Sequence, residues 1–352
     1  MGIFLVSLGK LSAKDVILKP KFLFEFGQQG AENGEFSGPK DVAVDLTDRV
    51  YVLDEARVQV FTSNGVYLAQ FTSTNFVEPY ALAIGRLGNI YVTDIEANCV
   101  HVFNKDFQYF QTFGSTGSSD GELYCPRQIA IGEAENVYVV DWHNERVAKF
   151  NSAGGFLTNF TFPGVDIWGL TMNPSGGWSI SCHKKNGNFI QNYDFQGNFL
   201  SEIMTKSESS GKQTILPEKS VLYDLAVYQG GYFIGSLENF HAIHLYTPTN
   251  YSTQFGALGG QPAQFYKPAG LTVNTQRDKL YISDYNNHRV QVFSFELLTN
   301  FNSTNPTAPG GIYHSGDFTG DGFGDILVYR KGKRSHWFFG QEDDEAIAEA
   351  AV

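Results

Sequence analysis

Six times along this chain an aromatic residue opens a short apolar strand, a polar turn follows, and a second apolar strand returns. The clearest copy is Lys279 to Phe293, KLYISDYNNHRVQVF, whose second half alternates apolar and polar residues as a half-buried strand does. The opening aromatic recurs at Tyr51, Tyr91, Tyr138, Trp178, Tyr232 and Tyr281, at intervals of 40, 47, 40, 54 and 49 residues. Three residues after it stand Asp54, Asp94, Asp141, Ser181, Gly235 and Asp284. A period of roughly 40–50 residues suits a unit of three or four strands.

Two further elements repeat with each hairpin. Ahead of it, Phe26-Gly27 leads to Pro39, Phe113-Gly114 to Pro126 and Phe255-Gly256 to Pro268, with 13 residues from Phe to Pro each time; Phe71 to Pro79 is five shorter. An alternating strand follows the proline position: Val42-Ala-Val, Leu82-Ala-Ile, Ile129-Ala-Ile, Leu170-Thr-Met, Leu225-Ala-Val and Leu271-Thr-Val. Its small central residue fits a crowded innermost strand. Behind the hairpin runs a further strand, as at Gly65 to Phe71 or Gly197 to Ile203. Each unit therefore reads as a four-stranded antiparallel blade, and six blades closing radially hide their sheet edges. The sixth unit has no outer strand of its own after Phe293, whereas Lys21 to Phe26 looks like an outer strand with no hairpin before it. The fold class predicted is all-β: a six-bladed β-propeller closed by the N-terminal strand.

Composition agrees. Thirty Phe, 18 Tyr and 37 Gly in 352 residues favour strands and tight turns. The net charge of −12 repels a phosphate backbone, so no nucleic acid is expected as a partner. Cys99, Cys125 and Cys182 are too scattered for a disulfide framework or a C-x-x-C zinc site. No apolar run reaches the length of a membrane span. Met1 to Gly9 is apolar but has no basic residue before it, a poor match to a signal peptide. Asn159, Asn250 and Asn302 open glycosylation sequons of the kind chance supplies. The compartment stays open, with an extracellular one favoured.

The stretch Asn286 to Phe293, with the preceding Tyr-Ile-Ser-Asp, and the second copy Asp141-Trp-His-Asn-Glu-Arg-Val resemble the signature of the NHL-repeat proteins. The resemblance covers about residues 21–298. It is carried by motif in units one, two, three and six, and by spacing in units four and five. The domain reading is an N-terminal segment 1–20, the propeller 21–298, a linker 299–312, a loop repeat 313–340 and an acidic tail 341–352 that frays. Within 313–340, Asp317, Thr319, Asp321, Phe323 and Asp325 stand at positions 1, 3, 5, 7 and 9 of an EF-hand-like loop, with Gly322 at the sharp turn. Oxygen donors at this spacing suit Ca²⁺, although Val328 occupies position 12, where an EF-hand carries its bidentate Glu. This stretch resembles an FG-GAP or VCBS-type repeat that runs directly into a strand at Ile326.

A propeller offers a ligand site at the channel mouth, where the inner strands begin. The candidates there are Lys40, Asp41, Tyr80, Arg127, Gln128, Trp168, Tyr223 and Asp224. Cations and rings together suit an anionic, carbohydrate or peptide ligand; a plain plug of the channel is the alternative. The amidating lyases, which resemble NHL propellers, hold Zn²⁺ with histidines at the inner-strand starts. None of the eight histidines here stands at those positions. No catalytic residue is assigned. The function expected is a non-catalytic scaffold that binds a protein or a small ligand. An enzyme with an axial site, a lyase or hydrolase, is the alternative, and RNA binding, as in some NHL proteins, comes third. Asp141 with Arg146 and Asp284 with Arg289 share a spacing of five that reads as a repeated structural ion pair.

Overall fold

The computed structural model describes residues 16–299 apart from 185–186, 205–206, 210–211, 215–221, 229–230, 238–240 and 248–249, together with 311–316, 325–330, 335–337 and 348–350. Six four-stranded antiparallel sheets form the blades. Blade 1 runs from its inner strand Pro39–Val44 through Val50–Asp54 and Arg57–Phe61 to Tyr67–Thr72. Blade 2 comprises Pro79–Ile84, Ile90–Asp94, Cys99–Phe103 and Tyr109–Phe113. Blade 3 comprises Pro126–Ile131, Val137–Asp141, Arg146–Phe150 and Phe156–Thr161. Blade 4 comprises Asp166–Met172, Trp178–Lys184, Gly187–Tyr193 and Phe199–Met204. Blade 5 comprises Leu225–Tyr228, Tyr232–Leu237, Ala242–Thr247 and Asn250–Phe255. Blade 6 has Pro268–Val273, Leu280–Asp284 and Arg289–Thr299, and its outermost place is taken by Val16–Phe26. Each inner strand lies beside the inner strands of both neighbouring blades, and blade 6 meets blade 1. The ring is closed by the N-terminal strand, which starts at Val16, five residues ahead of Lys21.

Burial explains the sequence pattern. The second strands are buried along their whole length in blades 1, 2, 3 and 6, because a neighbouring blade covers each face. They therefore read as continuous apolar runs. The outer strand of blade 1 alternates half-buried and exposed residues. Tyr51, Tyr91, Tyr138, Trp178, Tyr246 and Tyr281 are the largest fully buried side chains. Each such ring contributes on the order of 2–3 kcal/mol by leaving water.

The Asp–Arg pair of the hairpin is the second organising element. Arg289 Nε donates to Asp284 Oδ2 at 2.9 Å, while its two Nη atoms donate to the carbonyls of Gly260, Gln261 and Gln264 at 2.8–3.0 Å. Arg146 repeats this on Asp141 and on the carbonyls of Ser118, Ser119 and Glu122. Arg57 does so on Asp54, Ala31 and Glu35. The Phe-to-Pro spacing of 13 is thus a loop whose carbonyls are capped by the following hairpin's arginine. In blade 2 the loop is short, Cys99 stands in the arginine's place, and His101 Nε2 lies 3.5 Å from Asp94.

Blades 4 and 5 correct the hairpin alignment. Trp178 pairs with Tyr193 as Val50 pairs with Phe61, and Phe233 pairs with Tyr246 in the same way. The aspartate position is therefore Cys182 and Leu237, one and two residues beyond Ser181 and Gly235. Aligning on the aromatic misplaces it, because Trp178 stands on the first strand position and Tyr232 one residue before it, where the other blades have their ring on the second. Neither blade has an Asp–Arg pair to mark the position.

The chain's second compact unit, residues 1–21 with 295–352, contains one antiparallel sheet of Gly311–Gly316, Asp325–Arg330, Ser335–Trp337 and Ala348–Ala350. A strand thus stands inside the stretch expected to fray. Asp325 opens a strand; the other candidate calcium-loop residues, Asp317, Thr319, Asp321 and Phe323, lie outside the described residues.

Removing the cap should be costly where it is buried. Arg289→Ala removes the charged partner of buried Asp284 and one donor from each of three carbonyls, and the unfolding free energy should fall by about 3–5 kcal/mol. Arg57 is more exposed, at 18% of its side chain against 7% for Arg289, so Arg57→Ala should cost less. Urea unfolding midpoints of the two variants check this order.

Candidate functional site

The inner strands begin irregularly, and this sets the site. Pairing with the second strand slips between Pro39 and Asp41, Pro79 and Ala81, Pro126 and Ile129, Ile167 and Leu170, and Pro268 and Leu271. A bulge releases residues from the ladder and re-aims their side chains. Lys40, Tyr80, Arg127, Gln128 and Trp168 all fall inside these slips.

Four of the eight expected residues gather into one collar. The Arg127 guanidinium lies 3.9 Å from the centre of the Trp168 ring and 5.9 Å from that of Tyr80. Trp168 in turn packs against Tyr223 at 4.9 Å. The guanidinium also lies 3.6 Å from the centre of the Trp142 ring, and the two indoles meet at 5.8 Å with their planes tilted by 56°. Sequence reasoning missed Trp142. It occupies the hairpin position next to the aspartate, where the corresponding residues are Glu55, Ile95 and Tyr285. A Trp at an otherwise variable turn position, beside a blade whose inner strand opens with Arg, was the available signal. Trp142 is itself fixed by donating Nε1 to Asp166 at 2.8 Å. Within the collar, Arg127 Nη1 and Trp168 Nε1 are buried and have no acceptor. Burial pushes the Tyr80 hydroxyl up to about 12, with Arg127 pulling the other way. Burial likewise raises the Cys125 thiol, against the same guanidinium.

Asp41, Gln128 and Asp224 line the channel beneath, a cavity of about 200 Å³. The two carboxyls bind the ring together. Asp41 accepts the amide of Val42 and, on the next blade, that of Leu82, both at 2.8 Å. Asp224 accepts the amides of Leu225 and, on blade 6, Leu271, again at 2.8 Å. Blade 6 comes so close that a Cβ on Gly270 would sit 2.1 Å from Asp41 Oδ1 and 2.6 Å from its Cα, so only glycine fits. Burial raises the Asp41 pKa to about 7, only partly offset by the two amides. Burial and then the charge of Asp41 raise that of Asp224. Lys40 is not available to a ligand in the same way as Arg127: its ammonium pairs with Glu78, donates to the Pro79 carbonyl at 3.2 Å and lies 3.9 Å from Glu55.

Comparison with known proteins agrees with this architecture. Residues 265–293, the sixth inner strand and its hairpin, match the NHL repeat family. Protein brain tumor of Drosophila melanogaster is 27% identical over 158 residues, covering 42% of this chain and 15% of that protein. The chain thus spans a small fraction of that relative's length. Among solved structures, a virginiamycin B lyase from Staphylococcus aureus shares 14% identity at a TM-score of 0.53, over 80% of this chain and 99% of that one. A gluconolactonase from Xanthomonas campestris shares 10% at 0.57, over 75% and 88%. At these identities the likeness concerns the fold: a six-bladed β-propeller with an NHL repeat in its sixth blade.

The axial carboxyls give the protein a distinctive pH dependence. A carboxyl with a raised native pKa holds a proton that the unfolded chain has released. Its contribution is therefore present below the ordinary value of 3.8 and lost as pH climbs through about 7. The unfolding midpoint should fall between about pH 5 and about pH 8, and Asp41→Asn should flatten that fall. Asp94 acts in a lower window. Burial opposes its ionisation, but His101 and the amides of Ala97, Val77 and Glu78 outweigh burial and hold it to about 2. Its contribution is lost only as pH drops from 3.8 toward that value. Thermal scans across pH on both proteins check the two windows.

Proposed function

We propose that the protein is a non-catalytic binding scaffold for a protein partner, and that the collar at the channel mouth receives an acidic side chain of that partner. The observation that supports this reading most is the buried Arg127 Nη1 that has no acceptor. Two indoles pack on the guanidinium, and its N–H edge is the part that can hydrogen-bond a ligand. A planar carboxylate suits that edge, because it can accept two parallel N–H bonds. Trp168 Nε1 offers a further donor beside it. A guanidinium packed on rings also meets its ligand pre-positioned, which lowers the entropy lost on binding.

An axial enzyme is the second reading, favoured by the two carboxyls in the channel. Each of them already accepts two backbone amides, an arrangement that serves the ring. RNA binding is disfavoured by the charge of −12.

An array of peptides with internal aspartate or glutamate, read by the fluorescence of Trp142 and Trp168 on the full chain, tests the proposal. Acidic peptides should bind, and Arg127→Gln should weaken them about tenfold or more. Lys40→Gln should leave them unchanged. Acidic peptides that bind Arg127→Gln as tightly as the native chain would remove the reading.

A further inference from the structure

The opposite end of the channel carries a second site. The turns from inner to second strand all face this end. Their left-handed residues are Asp48 in blade 1, Gly88 in blade 2, Ala134 and Glu135 in blade 3, Gly176 and Gly177 in blade 4, Gly231 in blade 5 and Arg277, with a φ of 55°, in blade 6. Three of the six turns use glycine there, as the backbone prefers. The sixth is an arginine, in the one turn among them that is a residue longer: six residues separate Val273 from Leu280, where five separate Val44 from Val50. The turn is closed by Arg277 N donating to the Asn274 carbonyl at 2.9 Å.

Arg277 borders two cavities. One is the channel itself; the other is a basin of about 430 Å³ walled by blades 3 and 4, with Arg86 of blade 2 on its rim. Blade 6 stands across the ring from blade 3, so Arg277 reaches over the axis. Met172 supplies an apolar wall and Ser175 a hydroxyl. Glu133 also borders the basin, yet no carboxylate pairs with Arg277 among the described residues. Burial alone acts on its guanidinium, and lowers its pKa. A half-buried cation with no counter-charge, held on a strained backbone over a cavity, is unfavourable unless something occupies that cavity.

We propose that this basin is a second ligand site, which binds an oxyanion, a carboxylate or a phosphate, between Arg277 and Arg86. The guanidinium fork of Arg277 matches either group with two parallel hydrogen bonds. The site is independent of the collar, which lies at the other mouth.

Calorimetry on the full chain at fixed ionic strength tests it, with inorganic phosphate in one arm and citrate in the other. Saturable heat is expected in at least one arm, and the arm that responds names the source. Arg277→Gly should weaken that binding about tenfold or more, the loss of charged hydrogen bonds. Because glycine accepts a φ of 55° without strain, the same change should leave the thermal midpoint unchanged or raise it. Arg277→Asn, which also tolerates this conformation, guards against a defect peculiar to glycine. Arg127→Gln should bind the anion as the native chain does. The proposal is overturned by an absence of saturable heat with both probes, or by undiminished binding in Arg277→Gly and Arg277→Asn.

Discussion

A sheet edge is a row of unpaired amides and carbonyls, and six blades in a row would leave two of them. Everything in the propeller depends on covering those edges with one strand. Val16–Phe26 does so by pairing onto the third strand of blade 6. The join is reinforced by side chains from both ends of the chain. Glu25 accepts a hydrogen bond from Arg289 at 2.8 Å, and Phe22 meets the Phe293 ring edge-on at 5.7 Å. Phe26 continues inward against Phe36 and Phe61 of blade 1, so the closing strand packs on the last blade and the first together.

The ring is tied at two radii by different chemistry. Near the axis, Asp41 and Asp224 reach from one blade to the backbone amides of the next, where no room exists for a larger device. Hydroxyls supplement them: Ser181 donates to the Leu222 carbonyl at 2.7 Å and Ser236 to that of Ala269 at 2.6 Å, each on the following blade. Further out, the hairpin arginines hold the long loops by their carbonyls. The ends of the channel are thereby left to residues that no blade needs. Arg127 and Arg277 stand at these ends and share one property, a guanidinium with donors left over.

The fold was legible because its determinants are periodic. Radial packing demands two-sided burial of the second and third strands, so every blade had to repeat an apolar run at a similar interval. Register was legible only where an aspartate ends the second strand, in blades 1, 2, 3 and 6. The collar was half legible. Tyr80, Arg127, Trp168 and Tyr223 follow from knowing that inner-strand starts face the mouth. Trp142 comes from a different strand pair, and sequence spacing alone does not bring it over Arg127. Lys40 looked equivalent to Arg127, but Glu78 lies one blade away and no local pattern links the two. Arg277 was invisible for another reason. Its significance rests on a left-handed backbone and on a guanidinium that pairs with no carboxylate among the described residues, and neither is written in residue types.

The closing strand also has a temporal meaning. Residues 16–26 leave the ribosome before any of the six hairpins, and their partner strand is the last strand of the ring to be made; the bond between Glu25 and Arg289 spans 264 positions of chain. Blades 1 to 5 can each be assembled from local hairpins as they emerge. The sixth cannot, so its completion carries the full loop-closure entropy of the domain and belongs to the slow end of folding. Until that moment the nascent ring exposes one bare edge, which is when a chaperone, or a second nascent chain, has its opportunity to pair with it.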